Sequence, residues 1–428
     1  MEKKNEINRR GFIGAAAATL IATTVGGGKS LAASHSGHSI SPQPKKGMKI
    51  TDVRILQMSA SPGRRGAYNW TFVKIETDSG IYGVGEASLQ YRDSGIKAEI
   101  EAYKKFLIGK DPFRIEFLWT SMYRRVTWAG GPVTTSAISA IDLALWDIKG
   151  KALGVPCWEL AGGKFHESIK IYANGWRKGD GSPSGHGEGA KKVVEDGFKA
   201  LKLYPFAGGP QATTPDRIQR GLERVKAVRD AVGPNIEIGL DNRARVNIWS
   251  ARRIALQLEP YDIAWLEEPI LWDNPTALVE FARSVNVPIA TGEQLYTRWE
   301  FREILESNSI AIIQPDICHA GGMTELLKIA SMAATYYVTL APHNSNGPIS
   351  TIASLHFDTS IHNSLMQEVF LNHVPLYNEV LTHPIEFTDG HWTPSDRPGW
   401  GTDIKEDVIA KYPPSEYTVV ESEPYRQF

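Results

Sequence analysis

The stretch AWLEEPI, residues 264–270, carries an apolar run into two adjacent carboxylates, Glu267 and Glu268, and stops on Pro269. A short apolar run of this kind reads as a strand buried on both faces, so its acids emerge where the strand leaves the core. Asp241 ends the strand-like IEIGLDNR, Glu267 follows it by 26 residues, and Glu293, in VPIATGEQ, follows by another 26. Each step is about one strand-plus-helix unit. Three acids therefore occupy equivalent ends of three successive strands.

From residue 169 onward the pattern is regular. IKIYANGW, FKALKLYP, IEIGLDNR, IAWLEEP, VPIATGEQ, IAIIQPDICHAGG, VTLAPHNSNG and LMQEVF are the strands, and amphipathic stretches such as PDRIQRGLERVKAVRDAVG, SARRIALQLEP and WEFREILES lie between them. Alternation of this length builds βα units on a parallel sheet, and eight strands suffice to close an α/β barrel whose C-terminal mouth carries the site. Three carboxylates converging there repel strongly unless a cation neutralises them. An all-oxygen set without His or Cys points to a hard ion, Mg²⁺ first. Any one of these acids alone could equally cap a helix or pair with an arginine; the repeated spacing sets the three apart. Glu268, adjacent to Glu267 on the strand, points the other way and takes a structural hydrogen bond or ion pair, while Asp262 and Asp273 read as solvated loop residues.

The period continues. Asp316 follows Glu293 by 23 residues, His343 follows Asp316 by 27, and Glu368 follows His343 by 25. An Asp beside a His orients the imidazole and raises its basicity, which makes His343 the candidate base. His319 is a lesser candidate, with a loop hydrogen bond as its ordinary role. Across the mouth, Lys202 and Tyr204 are two apart and share a strand face. A lysine there can lower the phenol's pKa and let Tyr204 act as a base, or can itself donate to a substrate carboxylate.

At 428 residues the chain exceeds one average domain, and 42% apolar residues with a formal net charge of −1 describe a well-packed protein without the basic excess that nucleic acid or anionic membrane favours. A small-molecule ligand fits better. The two cysteines, Cys157 and Cys318, are too few for a disulfide framework and read as buried thiols. Ahead of the barrel, residues 48–165 mix strand patterns (KITDVRIL, YNWTFVKIETDSG, IYGVGEAS) with helical ones (IKAEIEAYKKFLIG, TTSAISAIDLALWDIKGKALG) and form an α+β module. Residues 1–33 place Arg9 and Arg10 before the apolar AAAATLIATTV and the small-residue SLAAS, the order of a twin-arginine export signal to the periplasm; the apolar part is too short to span a membrane. Residues 34–47, rich in Ser, Gly, Pro and Lys, read as a flexible leader.

LDN with Asp241, WLEEP with Glu267, TGEQ with Glu293, QPDICHAGG with Asp316 and PHNSNGP with His343 resemble, in order and spacing, the enolase superfamily and within it the mandelate racemase group. The similarity spans nearly the whole chain after the leader. It implies an α+β capping domain over a modified (β/α)₇β TIM barrel at 166–375, a segment 376–428 returning to the cap, one Mg²⁺ on Asp241, Glu267 and Glu293, and a symmetric homo-oligomer. It further implies removal of a proton α to a carboxylate, giving an enediolate bound to that metal. Lys202-Leu203-Tyr204 stands where many mandelate racemase-like members have Lys-x-Lys, which disfavours a symmetric two-base racemase and is similar to some acid-sugar dehydratases. Arg243 stands where several dehydratases have His, and would bind a hydroxyl or distal carboxylate. Glu368 matches the last-strand acid that hydrogen-bonds the substrate.

The expected activity is dehydration of an acid sugar to a 2-keto-3-deoxy acid, with either His343 or Tyr204 starting it. An epimerase or cycloisomerase using the same intermediate is the nearest alternative, and a non-catalytic sugar-acid binder the most distant. Substrate choice is expected from the cap loops SPGRRGAYNW and SLQYRD, with Arg64, Arg65, Tyr91 and Arg92 as candidate contacts.

Overall fold

A computed structural model describes residues 47–64, 66–124, 127–176, 181–206 and 212–417. The leader read at 1–33, most of 34–47, and Arg65 lie outside the described residues.

The described chain opens with an antiparallel sheet of β1 (Ile50–Ser59), β2 (Asn69–Thr77) and β3 (Tyr82–Glu86). The long helix Pro132–Leu153 lies on it and is buried along most of its length. Its closeness has a sequence cause: a Cβ on Gly83 would fall 2.0 Å from the Ala144 carbonyl oxygen, and one on Gly85 would fall 1.9 Å from that of Ala140. Alternate glycines in YGVGE thus let backbone meet backbone. Helices Asp93–Leu107 and Ile115–Arg124 complete the module; the second, IEFLWTSMYR, has no counterpart in the sequence reading.

The second sheet contains β4 (Ile169–Asn174), β5 (Ala200–Leu203), β6 (Glu237–Asp241), β7 (Trp265–Glu267), β8 (Ile289–Thr291), β9 (Ile312–Ile313), β10 (Thr339–Leu340) and β11 (Gln367–Phe370), all parallel, in the order β10-β9-β8-β7-β6-β5-β4-β11. The ring closes between its ends: Leu340 bridges Ser364, with the Leu340 N–H donating to the Asn363 carbonyl at 2.9 Å and the Leu365 N–H to that of Leu340 at 2.7 Å. This is the α/β barrel with an N-terminal antiparallel module expected above. A short β12 (His391–Trp392) adds antiparallel to the start of β4.

The lumen is filled, not hollow. Tyr172, Ala200, Trp265, Ala290, Ile312, Ala341 and Met366 pack together inside the strands, and Tyr172 meets Trp265 edge to face at 5.2 Å between centroids. Gly239 on β6 makes the space, since a Cβ there would lie 2.4 Å from the Trp265 ring. Several strands are shorter than their apolar runs suggest. β9 and β10 stop before Pro315 and Pro342, which have no N–H to give to a ladder, so Asp316 and His343 each stand three residues beyond a strand rather than on it.

Two buried acids of the first module dock onto barrel helices. Glu86, at the end of β3, accepts from the N–H groups of Gly347 (2.6 Å), Ile349 (3.0 Å) and Ser350 (2.9 Å) at the start of helix Pro348–Ser360. Asp142 accepts from the Thr324 N–H at 3.0 Å, at the start of helix Gly322–Thr335. A carboxylate satisfies the unpaired donors of a helix N-terminus and complements its dipole. Burial pushes both carboxyls up to about 7 against these donors. The chain then returns from the barrel. Glu406 pairs with Arg54 at 2.6 Å and Lys74 at 2.8 Å on the first sheet, and the Ser415 N–H donates to the Asn69 side chain at 2.7 Å. We propose from these contacts the division into cap (48–165), barrel (166–375) and returning segment (376–428). No helix among the described residues is long and apolar enough to cross a membrane.

Gly85→Ala forces the sheet off the long helix and lowers stability by about 1–3 kcal/mol, the usual cost of overpacking, read as a fall in melting temperature. The exposed Gly95→Ala serves as the comparison, its Cβ making only ordinary contact with Val133 at 3.4 and 3.7 Å and its backbone lying outside the left-handed region.

Candidate active site

Asp241 and Glu267 are the last residues of β6 and β7, and Glu293 lies two past β8. One oxygen from each gathers within 4.8 Å of the others, so strand spacing in sequence becomes convergence in space. The first two are buried and Glu293 is partly open. The Arg243 N–H donates to Asp241 Oδ1 at 2.6 Å, a contact made by the left-handed turn at Arg243 (φ 53°) and Ala244 (φ 53°). Glu267 is held on three sides: Lys202 Nζ donates to Oε1 at 2.6 Å, and Trp265 Nε1 (3.0 Å) and Gln314 Nε2 (2.7 Å) donate to Oε2. Burial, reinforced by Glu267 and Glu293, pushes the Asp241 carboxyl well above the usual carboxylate range. Burial also raises Glu267, with Lys202 pulling the other way.

The donor set fits a hard divalent cation. It is all oxygen, pre-oriented by neighbours, and short of positive charge: the one buried ammonium beside it is shared between Glu267 and Glu368, and for Asp241 and Glu293 there is, among the described residues, only the His343 ring, 3.4 Å from Glu293.

His343 was read as a base, and its geometry suits one. Its Nδ1 lies 2.7 Å from Asp316 Oδ2, and its Nε2 faces the acid cluster, 3.4 Å from Glu293. Asp316 is fixed by the Cys318 N–H at 2.8 Å and by Asn346 Nδ2 at 2.9 and 3.0 Å. Burial alone would favour the neutral ring, but Glu293 and then Asp316 outweigh it and push the imidazole up to about 10. A cation on Glu293 would remove the Glu293 pull and leave that of Asp316. His319 makes the expected loop hydrogen bond, to Ser136 of the cap at 2.9 Å, and stands 3.7 Å from Asp316.

Two residues read as substrate contacts lie deep, and one expectation needs correction. Lys202 is only 1% exposed, and its ammonium sits between Glu267 and Glu368 (2.6 and 2.7 Å), as buried as the carboxylates of the cluster. Glu368 is fully buried too; its Oε1 takes Lys202 and Asn174 and its Oε2 takes the Asn344 N–H at 2.9 Å. The Tyr204 phenol is not made acidic by its lysine neighbour. Burial raises its pKa and Asp241 and Glu368 add to the rise, outweighing Lys202, so the group rests protonated.

At the rim, the exposed Arg243 guanidinium lies 5.4 Å from the Tyr204 ring centroid. Tyr91 is 40% exposed, adopts φ 61°, and meets Tyr68 and Tyr417 edge to face. Arg64 is exposed in its loop, and Arg92 donates to the Tyr91 carbonyl. Glu268 turns away from the cluster as expected and accepts from Thr291 Oγ1 (2.8 Å) and the Gly292 N–H (3.0 Å). Both cysteines are buried free thiols.

Sequence reasoning missed Asn174, which ends β4 and donates to Tyr204 at 2.6 Å and to Glu368 at 2.7 Å. Its strand-end position, 28 residues before Lys202, was the available signal, but an amide carries no charge to draw attention. Gln314 and Asn346 were passed over for the same reason.

Residues 48–162 match the mandelate racemase / muconate lactonizing enzyme N-terminal domain, and residues 187–408 match the enolase C-terminal domain-like family. The chain belongs to the enolase superfamily. Its place there is in the mandelate racemase/muconate lactonizing enzyme subgroup, whose members use a divalent metal. It is 39% identical over 368 residues to a D-galactonate dehydratase of Pectobacterium atrosepticum, covering 85% of this chain and 94% of that enzyme. Among solved structures, an enolase superfamily member from Salmonella Typhimurium superposes with a TM-score of 0.80 at 34% identity, covering 86% of this chain and 98% of that one. A mandelate racemase/muconate lactonizing enzyme-like protein from Roseovarius sp. TM1035 does so with a TM-score of 0.82 at 30% identity, covering 88% and 98%. This superfamily member is an enzyme, a hydro-lyase.

Asp241→Asn and Glu293→Gln are each expected to abolish calorimetrically detectable binding of a divalent cation. Gln314→Leu leaves the three ligands in place and weakens binding about 10- to 100-fold, the cost of losing a group that orients a ligand.

Proposed function

We propose that the enzyme is a Mg²⁺-dependent dehydratase of an acid sugar, forming a 2-keto-3-deoxy acid. The observation that carries this reading is the His343–Asp316 pair turning its Nε2 toward a three-carboxylate cluster at the barrel mouth. The kinship with a D-galactonate dehydratase supports the same chemistry. Whether galactonate itself is the substrate is a separate matter, because specificity rests on Arg243 and the cap loops.

Asp241, Glu267 and Glu293 would hold the divalent cation, which supplies electrostatic stabilisation for the negative charge that α-proton removal leaves on the substrate carboxylate. The protein's own work is positional. Asp316 accepts the Nδ1–H of His343, fixing the tautomer in which Nε2 carries the free lone pair, and Asn346 and the Cys318 N–H keep Asp316 from turning. Nε2 then takes the α-proton. Arg243, exposed at the rim beside the Tyr204 ring, binds a substrate hydroxyl or distal carboxylate there. Lys202 and Glu368 neutralise each other beneath the site and hold Glu267 in place. Racemisation would need a second base of matched strength across the mouth; a phenol pushed upward does not provide one.

Incubation of the enzyme with a library of acid sugars and Mg²⁺, read with semicarbazide, gives 2-keto acid from at least one member, and chelator abolishes it. His343→Asn on that substrate cuts turnover by about 10²–10⁴-fold, the usual worth of a general base. A library that yields α-proton exchange in D₂O but no 2-keto acid would replace this reading with epimerisation.

We further infer export from Arg9 and Arg10. Replacing both with Lys leaves unprocessed precursor in the cytoplasm on fractionation, whereas the unchanged chain is recovered shortened in the periplasm.

A further inference from the structure

Dehydration moves two protons, and the dehydratase reading on which this inference rests gives His343 only the first. The second must reach the departing β-hydroxyl. Lys202 is unsuited, because both of its nearest contacts are buried carboxylates. Arg243 does not release a proton in the physiological range. Tyr204 remains, partly exposed at the mouth on β5's far end, three strands round the ring from His343 by way of β4 and β11.

What gives Tyr204 a direction is Asn174. The Gly175 N–H donates to Asn174 Oδ1 at 2.6 Å, and the Glu368 carboxylate, 2.7 Å from the other end, demands a donor. Both neighbours therefore dictate one orientation of the amide, with its NH₂ toward Tyr204 and Glu368. An amide nitrogen has two N–H groups and no acceptor. One goes to Glu368 and the other, at 2.6 Å, to the phenolic oxygen. Tyr204 is thus the acceptor in this pair, and its own O–H turns away from Asn174. No described residue accepts that O–H in the structure. The same Asn174 N–H stabilises the phenolate once the proton has left, and the Arg243 cation beside the ring does likewise.

We propose that Tyr204 is the acid that protonates the leaving hydroxyl, and that Asn174 is the positioning residue that turns its O–H toward the substrate. The C2 proton passes to His343 Nε2. Its electron pair is first delocalised onto the substrate carboxylate; it then returns to form the C2–C3 double bond as the C3–O bond breaks with its pair on oxygen, and that oxygen takes the Tyr204 proton and departs as water. The resulting enol gains a proton at C3 and loses one from O2, giving the 2-keto-3-deoxy acid, and the phenolate is reprotonated from solvent at the mouth.

The test follows both protons on the substrate found by the library screen, in D₂O with Mg²⁺, by proton NMR. Tyr204→Phe is expected to lower elimination by about 10²–10⁴-fold while C2–H exchange continues. The 3-deoxy-3-fluoro analogue, whose fluoride leaves without needing the same proton, is expected to recover elimination in that variant. Asn174→Asp, whose carboxylate captures the phenol proton, is expected to lower elimination in the same way with exchange retained; Asn174→Ala, which offers no acceptor, loses less. Elimination unchanged in Tyr204→Phe overturns the assignment, as does loss of exchange together with elimination in a variant whose melting temperature still rises with Mg²⁺. Exchange without elimination in the unchanged enzyme, on every acid tried, instead sinks the dehydratase reading and this assignment with it.

Discussion

Mutual repulsion among Asp241, Glu267 and Glu293 is the constraint around which the barrel mouth is organised. Three carboxylates within 4.8 Å of one another, two of them buried, raise the energy of the folded chain unless they are held and compensated. The surroundings do both in part. Lys202 supplies one positive charge, placed so deep that Glu267 and Glu368 can share it. Trp265 and Gln314, from the lumen, lock the remaining Glu267 oxygen. The protein thereby compensates the inner half of the cluster and leaves the outer half, Asp241 and Glu293, to a cation. A site built this way is stable enough to fold and electrostatically incomplete enough to bind.

The cap is joined to the same structure by related means. Glu86 and Asp142 reach from the first module to the N-termini of the helices that follow β10 and β9. Those helices begin just after the loops carrying His343 and Asp316. Tyr68 and Gln90, which also belong to the cap, touch Ser345 in the first of these loops at 3.2 and 3.3 Å. The cap is therefore linked through few contacts to the loop that carries His343.

Much of this was legible in the chain because strand-end periodicity survives translation into three dimensions. The 26-residue steps from Asp241 to Glu293 became one cluster, and the Asp316–His343 spacing became a hydrogen bond. Depth was not legible. Alternation along β5 places Lys202 and Tyr204 on one face, but only the packed barrel shows that the first is sealed beneath two acids while the second reaches the mouth. Polarity without charge was missed for a related reason: IYAN reads as an ordinary strand until Asn174 is seen with three partners. Proline explains the strand lengths, since apolar runs continue past the points where Pro315 and Pro342 stop the ladder.

The filled lumen has one more implication. With Tyr172 and Trp265 meeting across the strands and Gly239 recessed to admit the indole, the barrel is a cup with a solid floor. A molecule bound at the carboxylate cluster therefore has no route out through the packed lumen, so what arrives and what departs use the same end of the barrel.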